Sequence, residues 1–180
     1  MISSRIRQSL FTTVLAAGLG FASATSADDK RDRVPFKAVF TISEVVGEPA
    51  SECLLSAPPG GGAASGTISG TGLASGGLGA LTMTSVDCIT SASPLLLPPM
   101  SFSSNNVVLV ASNGDLLMAM YSGKGLLLPH GILNLTGSFT FTGGTGRFSG
   151  VQGNGTVEGL ESIVSVPAIG HFILSGTISR

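Results

Sequence analysis

The chain has 180 residues, a formal net charge of −1 and only 11% charged side chains, against about 25% in typical globular domains. Beyond residue 37 its only bases are Lys124, Arg147 and Arg180, too few to neutralise a run of phosphates, so nucleic acid is excluded as a partner. With no Trp and a single Tyr, it also lacks the aromatic girdles of an outer-membrane barrel.

Residues 1–27 read as a secretory signal peptide. Arg5 and Arg7 form a basic start, residues 10–21 are an apolar run too short to span a bilayer, and small residues lead to a cleavage point near Ala27. The expected location is therefore secreted or periplasmic, with no membrane span after cleavage. Residues 28–34 form a charged leader in which Lys30, Arg31 and Arg33 are interleaved with Asp28, Asp29 and Asp32, a solvated segment rather than a membrane patch. Residues 35–180 form one domain, long enough for a real core.

Strand signals follow one another through that domain, and helical periodicity is absent. Phe36, Ala38, Phe40 and Ile42 alternate with Lys37, Thr41 and Ser43 in the first strand. Residues 48–64, with three prolines and a GGG run, form a connection. Residues 65–73 alternate small and β-branched side chains, and Leu81, Met83 and Ser85 alternate towards Cys88. The apolar connection LLLPP (95–99) can plug a barrel end or form an exposed lip. Residues 106–111 and 116–121 flank Asn113-Gly114, a strong hairpin signal. Residues 131–141, the turn at 142–146 and residues 148–158 form a glycine-rich hairpin, and residues 171–179 close the domain. The pattern predicts an all-β fold: a single small antiparallel β-barrel of about eight strands, with a β-sandwich as the alternative. Cys53 and Cys88 are the only cysteines, and in an oxidising compartment they are expected to form one structural disulfide.

Chemistry is sparse. The glycine run GGTGRFSG lacks nucleotide-motif spacing and joins two strands instead of opening a helix, and no G-x-S-x-G elbow occurs. His130 and His171 have no metal-ligand spacing. No cofactor and no metal are expected. Glu44 is the candidate catalytic residue. It shares parity with Phe40 and Ile42, so a regular strand aims it into the interior, where its pKa would rise and it could act as acid or base; a strand ending near Ile42 would leave it at the rim. Asp87 has inward parity near a strand end, and Asp115 reads as a turn residue. Phe40, Leu135, Phe139 and Arg147 are the candidate ligand-binding residues, the first three by parity and Arg147 as a cation among turn N–H groups.

The segment FTGGTGRFSGVQGNGTVEG (141–159) resembles a pattern in small exported bacterial proteins of uncharacterised function, and the hairpin ASNGDLLMAMYSGKG (111–125) resembles a second part of it. The turn G-G-T-G followed by Phe is also similar to that of allene oxide cyclases and dirigent proteins. That resemblance implies an eight-stranded barrel with an apolar cavity. Its shared residues are turn and bend residues, so it carries no site residue. The function expected is the binding of an apolar small molecule in a barrel cavity, more consistent with a non-enzyme. A cyclase- or isomerase-type enzyme and a structural or surface-interaction protein are the alternatives.

Overall fold

A computed structural model describes residues 32–179; the signal peptide expected at 1–27, leader residues 28–31 and Arg180 lie outside the described residues. Eight strands follow in chain order: β1 (Arg33–Gly47), β2 (Gly62–Ala74), β3 (Gly79–Ser91), β4 (Met100–Ala111), β5 (Leu116–Leu128), β6 (Ile132–Gly144), β7 (Gln152–Ser162) and β8 (Ala168–Ser179). Each pairs antiparallel with its sequence neighbours, and β8 returns to β1, with Phe40 opposite Phe172. The sheet is a closed barrel, which rules out the sandwich alternative. β1 starts at Arg33, within the segment read as leader. One short helix, α1 (Ser51–Ser56), corrects the expectation of none. Its six residues are too few to register as a period and too few to be stable alone.

The inward parity fills the barrel. Phe36, Phe40, Phe172, Leu109, Leu117, Leu174 and Ile178 are buried, each worth about 2 kcal/mol of transfer free energy. Large inward side chains lie across inward glycines of the neighbouring strand. Phe40 faces Gly72, Phe102 faces Gly123, Phe139 faces Gly155 and Phe172 faces Gly159. At Gly72 a β-carbon would come within 2.6 Å of the Phe40 ring. These glycines thus make volume for aromatic rings in a narrow interior.

The two ends differ. At one end the connections are the tight turns β2–β3 and β4–β5 and the β6–β7 turn. Leu78, Phe148 and Val151 are buried there, and Phe36 packs edge-on against Phe141 at 5.0 Å. The β4–β5 turn is the one expected at Asn113-Gly114, with Gly114 at φ 87° and Asp115 N–H donating to Asn113 Oδ1. At the other end lie the longer β1–β2, β3–β4 and β7–β8 connections. There Leu95, Val164 and Val166 are strongly exposed, and Cys53 of α1 is bonded to Cys88 of β3 (S–S 1.97 Å). Among the described residues no helix is long and apolar enough to cross a membrane.

Candidate functional site

The barrel is solid at its closed end and hollow towards the other. The cavity there has a volume of about 330 Å³. Its lining is mostly apolar: Met100, Phe102, Leu127, Leu133 and Leu135 come from β4, β5 and β6, and Ile68, Ile89 and Phe172 from β2, β3 and β8. Leu96, Leu97 and Pro98 of the LLLPP connection line it from above, while Leu95 projects into solvent. That segment is therefore both lining and lip.

The cavity also meets three carboxyl groups, Glu44 of β1, Asp87 of β3 and Glu161 of β7. β1 does not end near Ile42. It stays paired to β2 as far as Gly47 and to β8 as far as Glu44, so Glu44 keeps its inward parity and is only 7% exposed. Room for its carboxyl comes from Gly66 of β2, where a β-carbon would overlap Glu44 Oε1. Glu161 pairs across from Gly170 of β8, where a β-carbon would crowd the Leu160 carbonyl and lie 3.0 Å from Glu161 Cβ. Protonated Glu44 donates a hydrogen bond to Glu161. Burial, then the Glu161 charge, then that bond push its pKa up to about 8. Burial also raises Glu161, partly offset by the bond from Glu44.

Asp87 anchors a polar network within the same interior. Irregular register in β3–β4 between Thr84 and Cys88, and in β4–β5 between Ser104 and Val107, marks a bulge beside it. The Tyr121 hydroxyl lies 2.7 Å from both Asp87 oxygens, and Ser85 Oγ donates to Oδ1 at 2.5 Å. Ser104 Oγ, 2.9 Å from Ser85 Oγ, continues the chain. Burial outweighs these donors, and the Asp87 pKa is pushed up to about 7. The Tyr121 hydroxyl is raised well above its ordinary value by burial and by the Asp87 charge. Chemically, the site can hold a proton between two carboxyls, relay one through hydroxyls, and accept a donor presented from an apolar chamber.

The other sequence candidates are distributed unevenly. Leu135 lines the cavity, whereas Phe40 and Phe139 are buried in the barrel core without lining it. Arg147 lies at the closed end. Its Nη2 donates to Leu78 O at 3.1 Å, its backbone N–H donates to Asp115 Oδ2, and its guanidinium stacks over Phe148. It ties three turns together, far from the chamber. His171 points outward to Thr41. Glu161 was not a candidate, because the expected strand stopped at 158. Extending the alternation three residues puts an apolar Leu160 outside and a charged Glu161 inside, the reverse of the usual signal. The inward glycines at 66 and 170 were the available hint.

The sequence matches no protein-family model, no curated protein and no solved structure.

Proposed function

We propose that this is an exported binding protein that holds a small apolar molecule in the open half of its barrel. The observation that carries this reading is the chamber of about 330 Å³ within an otherwise packed interior. Small barrels ordinarily fill with side chains, and a hollow of this size suits a small ligand. The apolar lip, the signal-like segment 1–27 and the disulfide are consistent with it. So is the resemblance of the G-G-T-G turn (143–146) to that of allene oxide cyclase- and dirigent-type barrels. Barrel closure, which removes free strand edges, weighs against a protein working by edge pairing.

The neutral apolar dye N-phenyl-1-naphthylamine is expected to brighten with one saturable site per barrel. Ala168→Phe, which fills the chamber from β8, is expected to weaken dye binding at least about tenfold while leaving far-UV circular dichroism unchanged. A wild-type protein that ignores the dye, or a filled variant that binds it equally well, overturns the reading.

The Glu44–Glu161 pair favours a second reading: acid–base catalysis of a proton shift in the bound molecule, one carboxyl giving a proton and the other taking one. Under it, an apolar extract from the native source changes its product profile with wild-type protein and not with Glu44→Gln. Identical profiles remove it.

A further inference from the structure

We infer that the chamber is built for an apolar molecule carrying a cationic amine, with the amine seated at Glu161, Glu44 and Asp87. This rests on the binding reading above and specifies its ligand class.

The first observation is an acceptor with nothing to accept. Glu161 is only 3% exposed and lines the chamber; its carboxyl is hydrogen-bonded to Glu44, but its Oε1 has no hydrogen-bond partner. A buried carboxylate oxygen left unpaired costs the protein free energy, which a ligand N–H donated to the Glu161 carboxyl would offset. The second is the sign of the chamber. Its ionisable lining residues are all acids. The described bases lie elsewhere: Arg147 is bound to the closed-end turns, Lys124 and Lys37 are exposed, and Arg33 begins β1 at the closed end. A carboxylate- or phosphate-bearing lipid would therefore find no counter-charge among the lining residues. An ammonium ion meets charges that offset its desolvation.

The third observation concerns construction. Gly66 leaves the space that the Glu44 carboxyl occupies, just as Gly72 and Gly155 leave space for phenylalanine rings. Glu44 occupies a built position in the interior. A metal ion is the other cation to weigh, but among the described residues no three His, Cys, Asp or Glu side chains converge closely enough to hold one. The mostly apolar lining also calls for a ligand with a hydrocarbon body.

Proton balance follows from the geometry. In the empty chamber the Glu44–Glu161 pair holds a proton between its carboxyls. An arriving ammonium stabilises both carboxylates, so that proton leaves to solvent as the amine binds. A neutral ligand leaves it in place.

Three ten-carbon probes with different heads test this at pH 7: decylamine, decan-1-ol and decanoate. Each competes with N-phenyl-1-naphthylamine, and calorimetry in phosphate and in Tris reads proton release. Decylamine is expected to displace the dye at a concentration at least about thirtyfold below that of decan-1-ol, with decanoate weakest, and to release at least about half a proton. Glu161→Gln and Glu44→Gln are each expected to cut the amine-over-alcohol preference at least about tenfold. Glu158→Gln, on the outer face of β7, is expected to keep it. Decan-1-ol or decanoate binding as tightly as decylamine, or amine binding without proton release, overturns the amine inference while dye binding keeps the binding reading intact. A wild-type protein that binds neither dye nor probe overturns both.

Discussion

At the scale of single residues, the interior of this barrel is governed by pairs of one large and one absent side chain. Gly72 and Gly66 are both inward glycines of β2, yet they face different obstacles. A β-carbon at Gly72 would meet the Val39 carbonyl and the Phe40 ring, neither of which can retreat within a packed core. A β-carbon at Gly66 would meet the end of the Glu44 side chain, which can swing away. Gly72→Ala is therefore expected to destabilise the fold by about 1–3 kcal/mol. Gly66→Ala is expected to cost less at pH 5.5 and to displace the Glu44 carboxyl from its buried seat. Urea unfolding of both variants at pH 5.5 and 8.5 checks this: a larger loss for Gly66→Ala than for Gly72→Ala at pH 5.5 contradicts it. The three hydroxyls around Asp87 belong to the same scale. Ser85, Ser104 and Tyr121 hold that carboxyl in place, and they do so beside a bulge that the sequence marks only with Asn105-Asn106.

At the scale of elements, strand parity was the legible signal. The alternation of Phe36, Ala38, Phe40 and Ile42 against polar neighbours gave β1 its inner face, and Asn113-Gly114 gave the β4–β5 turn, because both rest on local rules of pleat and turn geometry. Strand ends were not legible. β4 starts at Met100 and β5 runs to Leu128, well beyond the segments with clean alternation, since the outer face of β5 carries exposed apolar residues such as Met120 and Leu126. The same inversion hid Glu161: a strand that places leucine outside and glutamate inside contradicts the hydrophobic pattern, and only tertiary pairing with β8, Glu161 opposite Gly170, fixes its direction. Glu44 was legible because Phe36, Ala38, Phe40 and Ile42, all of its own parity, precede it. Arg147 was misleading for the opposite reason. Its glycine-rich setting resembles an anion loop locally, and its real partners, Leu78 and Asp115, come from two other turns. The helix α1 depends on long-range bonds as well. It is held by Cys53–Cys88 across a separation of 35 residues, a closure worth about 4 kcal/mol in the chain-entropy account, and by the Ala50 N–H donating to Ser65 Oγ.

For the whole molecule, enclosing acids in a barrel couples folding to pH. Glu44 moves from 4.5 to about 8 and Asp87 from 3.8 to about 7, burial being the largest cause for both, and Glu161 is raised too. Their folded values lie above their unfolded ones, so between roughly pH 4 and 8 the folded protein retains protons that the unfolded chain has released. Stability therefore falls as pH rises through that window and levels off above it, with a slope approaching about 1.4 kcal/mol per pH unit for each carboxyl that differs in protonation. Asp115 acts in the opposite sense. The Arg147 N–H and Asn113 hold its pKa down, so its contribution is present above the ordinary aspartate range and is lost as pH falls through it. Together these set the stability maximum of the ligand-free protein on the acid side, near pH 4–5, below the usual optimum of about 5–8. Urea unfolding is expected to give a free energy at least about 2 kcal/mol lower at pH 8.5 than at pH 5.5. In the Glu44→Gln, Asp87→Asn double variant that difference is expected to shrink by half or more, because neutral amides occupy the same space without a proton to lose. A wild-type profile that is flat or rises over this interval would mean that the carboxyls are solvated in solution, with the chamber open to water rather than apolar. Saturating decylamine supplies an independent arm: by stabilising the ionised carboxyls it should offset the loss of stability with rising pH, so that the liganded and ligand-free profiles diverge as the pH rises from 5.5 to 8.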